Sequence, residues 1–268
     1  MLLADTHTHS TVSFDGHSSR AEMASAAAAQ GISFLCFTDH YDMVNERNEY
    51  VPVYDWAPAR REQREAQAAL GGRIELAYGI ELGNAPADFA AAEYALREPG
   101  LDFVLGSIHN SSKALGWQDY YFVRFDTPEK CYLWLDDYFD QLEQLVDWGN
   151  FDSLAHLPYP LRYMVQRDGQ SITLHRYDDR IDALLRRLAE EGKALEVNSA
   201  KSLPLMPEYR WLLERYRELG GELVTVGCDA HRVEQVGVGL REALALVRDT
   251  GFRYLTLFRQ RTPCPVQL

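Results

Sequence analysis

Apolar residues along the chain fall into two alternating patterns: short continuous runs, and longer stretches in which they recur every three or four positions. Runs of the first kind, bounded by Gly, Pro or polar clusters, read as buried strands, and stretches of the second kind as helices packed by one face. Strands are expected at residues 2–4, 32–37, 74–81, 101–109, 151–156, 193–199 and 222–229, with a short one at 253–258. Helices are expected between them, at 21–30, 59–70, 88–97, 129–147, 176–191, 207–219 and 240–250. Ser18 and Ser19 offer a cap for the first helix and Gly31 a stop, while Gly71-Gly72 ends the second. Segments 41–58, 110–128 and 157–172 fit neither pattern and read as excursions above the scaffold, the second long enough to cover a substrate. Such alternation is that of a β/α barrel or another α/β fold.

The polar residues sharpen this choice. Nearly every strand ends on a group able to hold a cation: His7 and His9, His40, Glu81, His109, His156, Asp229 and His231. Alternate side chains of an extended chain share a face, so His7 and His9 form a two-imidazole clamp of the kind that suits zinc, iron or nickel. Singly, each histidine reads equally as a satisfied core or loop residue, and Glu81 or Asp229 as a local turn cap. Together they are explained more economically by one site with several cations. A barrel gathers its strand ends at one mouth, whereas a doubly wound sheet spreads them along an edge. A carboxylate such as Glu81 can bridge two metals about 3.5–4 Å apart, with hydroxide and a phosphoryl oxygen held between them.

Composition narrows the function class. A net charge of −13 argues against a protein that reads nucleic-acid backbones, because neutralising phosphates takes clusters of Lys and Arg. It leaves room for a small anionic substrate, since bound metal inverts the local potential. The four cysteines, Cys36, Cys131, Cys228 and Cys264, are scattered without a CxxC pair, which points to a reduced, cytoplasmic setting. Neither a signal peptide nor a membrane span is expected from the distribution of apolar residues.

In order along the chain, "DTHTH" with "FDG", then "TDH", "GIE", "GSIH", "AH" and "CDAH", resemble the polymerase-and-histidinol-phosphatase (PHP) family of metal-dependent phosphoesterases. The resemblance covers residues 1–268 as one domain. It implies an α/β fold, a distorted TIM-like barrel of (β/α)7 type, with three divalent metal ions, zinc, iron or manganese. It also implies His7, His9, Glu81 and Asp229 around a first metal, Glu81 bridging to a second held by His109 and His156, and Asp15, His40 and His231 around a third. Asp15 stands where some relatives use His, carboxylate oxygen being an acceptable donor. Asp5 is expected to orient one clamp imidazole, His17 either to replace or supplement Asp15 or to face solvent or support the site, and His175 to lie at the surface or cap a helix.

"GSIHN" with "AHLPYPLRY" resembles the histidinol-phosphatase branch, which implies hydrolysis of L-histidinol phosphate to L-histidinol and phosphate in histidine biosynthesis. Arg162 supplies a fork of donors for phosphate, its other reading being a surface salt bridge. Lys201 is a weaker phosphate candidate, and Asn198 either orients substrate or water or makes ordinary turn bonds. Asp42, Glu46 and Glu49 either meet the ammonium of histidinol or are solvated loop acids. A metal-bound water, Asp229 and His231 are the candidate proton carriers. Two alternatives stand: hydrolysis of another small phosphate monoester or phosphodiester, and a non-catalytic metal-binding interaction domain. The expected partner is a small phosphorylated metabolite, not nucleic acid or membrane, with a monomer or small homo-oligomer both open.

Overall fold

In the computed structural model, which describes residues 3–199 and 203–268, strands and helices alternate as the patterning requires. Strand β1 (Ala4–Thr8) leads to helix α1 (Arg20–Ala29), and β2 (Phe34–Phe37) is followed after two residues by β3 (His40–Asp42). Then come α2 (Trp56–Leu70), β4 (Glu75–Gly83), α3 (Phe89–Ala95), β5 (Phe103–Ser107), α4 (Pro128–Trp148) and β6 (Ser153–Leu154). The chain continues with α5 (Asp178–Glu190), β7 (Ala194–Asn198), α6 (Met206–Glu218), β8 (Val224–Gly227), α7 (Leu240–Asp249), β9 (Tyr254–Arg259) and β10 (Thr262–Gln267). Helix ends follow local chemistry. Ser19 and Glu22 form a reciprocal capping box at the start of α1, and Gly71 and Gly149 close α2 and α4 in left-handed conformations.

The parallel strands run in the order β1-β2-β4-β5-β6-β7-β8, with β3 pairing the distal half of β4. The two ends of this sheet nearly meet. The Asp229 N–H donates to the His7 carbonyl and the His9 N–H to the Ala230 carbonyl, both at 2.8 Å, and the Thr6 hydroxyl reaches the Val226 carbonyl at 3.1 Å. The result is an almost closed, barrel-like parallel sheet with helices outside. Gly227 permits the closure, since a Cβ there would lie 2.1 Å from the Cβ of His7.

Four details differ from the sequence expectation. The first strand lies at Ala4–Thr8 rather than at residues 2–4, so His7 is inside it and His9 just past it; Leu2 lies outside the described residues. A strand buried on both faces needs no apolar run when its inward side chains line a polar site. Excursion 41–58 begins inside β3, and excursion 157–172 contains a π-helical turn, Arg162–Arg167. Strand β10 was not expected, because Pro263 and Pro265 interrupt its pattern; they sit at alternate positions of an edge strand, where a missing N–H is tolerated.

Strands β9 and β10 form a hairpin across the N-terminal end of the barrel. Its turn residues Gln260 and Arg261 both have positive φ, and their backbone N–H groups donate to Asp102, just before β5, at 2.9 Å each. Arg261 also reaches Asp152, just before β6, at 2.7 Å, and Arg259 pairs with Glu75 at the start of β4. Phe258 stacks on Phe103 with ring centroids 5.0 Å apart. One end of the barrel is thus floored, and the opposite, C-terminal end carries the candidate ligands.

Candidate metal centre

Glu81 stands at the centre of the C-terminal mouth, fully buried on β4. Its Oε2 lies 3.1 Å from His7 Nε2, 3.4 Å from His9 Nε2 and 3.2 Å from His40 Nδ1. Its Oε1 lies 2.8 Å from His156 Nε2 and 3.1 Å from His109 Nε2. One carboxylate therefore joins five imidazoles carried by four regions of the chain. Asp229 approaches from the end of β8, its Oδ1 at 3.3 Å from His9 Nε2 and 3.6 Å from His7 Nε2. It has φ 53°, a left-handed conformation that Asp adopts more readily than bulkier residues. On the far side His231 Nε2 faces Asp15 Oδ2 at 3.1 Å, and Asp15 Oδ1 lies 3.8 Å from His40 Nε2. Every expected metal ligand is thus brought to one place.

The outer nitrogens show which way the rings are set. A carboxylate accepts only, so His7 Nδ1 donates to Glu196 Oε1 at 2.6 Å and His109 Nδ1 to Asp42 Oδ1 at 2.9 Å. His231 Nδ1 donates to the Asp229 carbonyl at 2.9 Å. In neutral rings held this way the Nε2 atoms are lone pairs, and they face other acceptors. His7 Nε2 lies 3.0 Å from His9 Nε2, and His109 Nε2 lies 3.4 Å from His156 Nε2 and 3.1 Å from a Glu81 oxygen. Lone pairs converge in this way on a shared cation, so the donor set fits metal ions. Among the described residues, four groups have ligand atoms within 4.8 Å of one another: His7–His9–Asp229, His7–Glu81–His156, His9–His40–His231 and His40–Asp42–His109. The imidazole and carboxylate donors suit zinc, iron and manganese alike.

Crowding of acids and imidazoles shifts these groups strongly. Burial would raise the Glu81 carboxyl pKa, but His7, His109 and His40 outweigh it and hold it well below the usual range. Burial disfavours a charged His7, and Glu196, Glu81 and Asp229 overcome it, holding its pKa well above normal. His9, buried beside His231 and His40, is pushed down to about 3. A cation bound among these groups would take the place of the proton that the neighbouring carboxylates favour on His7.

Other candidates fall elsewhere. Asp5 does not orient a clamp ring: its Oδ1 accepts from the backbone N–H groups of His7 and Cys228, and burial raises its carboxyl to about 6. Glu196 orients His7 instead, and the sequence reading missed it; a lone acid inside the apolar run of β7 was the available signal. Asp42 is taken up by His109, Glu46 pairs with Arg47, and Glu49 with Asn45. Gly83 leaves room for Asp42, whose Oδ1 a Cβ would overlap at 1.6 Å. His17 is exposed at the cavity rim, and its N–H donates to the His231 carbonyl. His175 is a surface residue paired with Asp178 at 3.1 Å. Arg162 is buried, not a surface salt bridge, and its Nη1 donates to Asp229 Oδ2 at 3.1 Å. Asn198 is buried near the mouth with neither amide atom hydrogen-bonded. Lys201 lies outside the described residues.

A cavity of about 470 Å³ opens over the cluster, walled by Arg162, Tyr159, Tyr163, Asp119, Phe122 and Phe14 among others. Among the described residues no helix is long and apolar enough to cross a membrane.

Comparison with known proteins finds the same architecture in a solved structure and similarity along nearly the whole chain. A probable histidinol-phosphatase from Thermotoga maritima is 29% identical over 95% of each chain. The histidinol-phosphatase of Lactococcus lactis is 26% identical over 96% of this chain and 95% of its own. The solved structure of the Lactococcus histidinol phosphate phosphatase, complexed with zinc, L-histidinol and phosphate, superimposes with a TM-score of 0.80 at 24% identity, covering 98% of this chain and 100% of that one. The similarity thus runs to the histidinol-phosphatase branch, and the cluster supports a metal-dependent hydrolase acting on phosphoesters. With the PHP domain model matching residues 5–200, most of the barrel that carries these ligands, the chain belongs to the PHP domain family.

Proposed function

We propose that this chain hydrolyses L-histidinol phosphate to L-histidinol and inorganic phosphate. The observation that carries this reading is the junction of the ligand cluster with Arg162 through Asp229, at the base of a cavity sized for a small metabolite. Relatives named histidinol-phosphatase, similar along nearly the whole chain, supply the substrate class.

His7, His9, Glu81 and Asp229 would hold one divalent ion, Glu81, His109 and His156 a second, and Asp15, His40 and His231 a third. When bound, such ions supply Lewis-acid polarisation of the phosphoryl group and acidify water at neutral pH. The chain's own residues do the rest. Arg162 stays charged, lies 5.4 Å from the centroid of the Tyr159 ring, and lines the cavity, where its guanidinium would meet phosphoryl oxygens. Asp229 links that arginine to the cluster, so phosphate and ligands are held in one frame. Asp229 and His231, both lining the cavity, are the groups placed to carry the proton needed by the leaving alkoxide. Of the acids on the wall, Asp42 is committed to His109. Asp119, fixed by the Tyr121 N–H at 2.7 Å, is the carboxylate offered to the substrate ammonium. Tyr159, Tyr163 and Phe122 give aromatic faces for its imidazole.

Phosphate release should be compared across histidinol phosphate, nucleoside monophosphates, sugar phosphates and a phosphodiester, using metal-reconstituted protein. The proposal expects the highest kcat/KM for histidinol phosphate. A preference for any other ester would overturn the substrate and leave the metal centre standing.

A further inference from the structure

Behind the metal-facing rings lies a buried layer of polar groups that the ligand positions do not account for. Arg20, the first residue of α1, is fully buried, its guanidinium carbon 5.0 Å from the Phe37 ring centroid and 5.5 Å from that of Tyr78. Its Nε and Nη2 donate to Asp39 Oδ2 at 3.1 and 2.7 Å, and its Nη1 to Gln63 Oε1 at 2.8 Å. Asp39 also accepts from the Ser10 N–H at 2.5 Å and from the Ser13 hydroxyl at 2.9 Å. Ser13 Oγ in turn lies 3.1 Å from His9 Nδ1 and 3.0 Å from the His40 backbone nitrogen.

The direction of every bond in this chain is forced. A guanidinium only donates, and the carboxylate paired with it only accepts. Ser13 has a single proton, and Asp39 takes it. The Ser13 oxygen is then left to accept from the His40 N–H and from a proton on His9 Nδ1. His9 is thereby held with its proton outward and its Nε2 lone pair aimed inward, at His7, Glu81 and Asp229. A buried ion pair is weak evidence of stabilisation, because its desolvation cancels most of the attraction. Orientation is the use this geometry leaves for it.

We infer that Arg20, Asp39 and Ser13 form a positioning relay that sets the tautomer and aim of His9, and so the cation affinity of the two ligand groups His9 belongs to. The inference rests on His9 being a metal ligand. It is independent of which phosphoester is the substrate.

The test uses full-length protein stripped of metal and titrated with Zn2+ against a chromophoric chelator, with far-UV circular dichroism confirming the fold. Ser13→Ala should weaken zinc binding by about 10–100-fold, the range for partners that orient metal-bound histidines. Ser13→Cys, close in size but a weak acceptor, should fall in the same direction and serves if the alanine variant fails to fold. Ser13→Thr keeps the hydroxyl and should bind close to wild type. His9→Ala is the control on the premise. If His9→Ala keeps full affinity, His9 is not a ligand and the relay has no object. If His9→Ala loses zinc while Ser13→Ala and Ser13→Cys do not, the relay is wrong. A threonine variant as weak as alanine would also overturn it, because the hydroxyl would not be the active element.

Discussion

Replacing Glu196 by glutamine tests the inner construction of the site with a change of one atom. Glu196 is wholly buried, and each of its oxygens accepts one bond: Oε1 from His7 Nδ1 at 2.6 Å, Oε2 from the His156 backbone N–H at 2.8 Å. Both partners are donors, and glutamine has one acceptor. If its oxygen stays on the His156 N–H, its NH2 faces His7 Nδ1 and drives the ring to the opposite tautomer, placing a hydrogen where the cation-facing lone pair belongs. If the amide flips, the buried His156 N–H is left facing another donor. Either way one hydrogen bond to a charged acceptor is lost, about 1.5–3 kcal/mol, or roughly a 10- to 150-fold change in an equilibrium. Zinc affinity of the Glu196→Gln protein, measured by chelator competition, should therefore fall by one to two orders of magnitude, and kcat should fall with it at limiting metal. Wild-type affinity in this variant would refute the assignment of Glu196 as the group that sets His7.

Further outcomes follow from other contacts. Arg162→Met removes the donors beside Asp229 and should lower kcat/KM by about 10²–10³-fold, the range for losing a transition-state donor, with bound metal retained; unchanged kcat/KM would remove Arg162 from the phosphate site. Gly227→Ala sets a Cβ 2.1 Å from that of His7, both on strands at the closure. Urea unfolding should show a loss of about 1–3 kcal/mol or more from overpacking, and wild-type stability would contradict the tight seam. Asp102→Ala, on the barrel floor, frees the N–H groups of Tyr78 and Gln260. Its melting temperature should fall, with about 1.5–3 kcal/mol lost, while zinc affinity holds; a change in affinity would mean that floor and mouth are coupled.

Much of this was legible in the chain. The helices were, because their apolar periodicity and caps are local: Ser19 with Glu22, Gly71 and Gly149 all act within a few residues of where they stand. The convergence of strand-end candidates was legible for the same reason, since a polar residue closing an apolar run is visible without knowing the partner strand. Glu196, Ser13, Asp39 and Arg20 were not assigned, because their roles depend on groups brought together only by closure of the sheet; Glu196 and His7 are 189 positions apart. Asp5 misled for that reason, as its nearness to the clamp in sequence did not place it beside a ring. For Asp42 the sequence leaves open a contact with the substrate ammonium or a solvated loop position, whereas pairing of β3 with β4 turns it onto His109. Hairpin strand β10 escaped notice because its prolines mask a pattern that only an edge position permits.

The most direct measurement is the dependence of phosphate release on bound metal. Metal-stripped protein, titrated with zinc or manganese while phosphate release from histidinol phosphate is followed, should start without turnover and gain activity in proportion to metal bound. Equal turnover in stripped and reconstituted protein would contradict a hydrolytic centre built on His7, His9, Glu81 and Asp229.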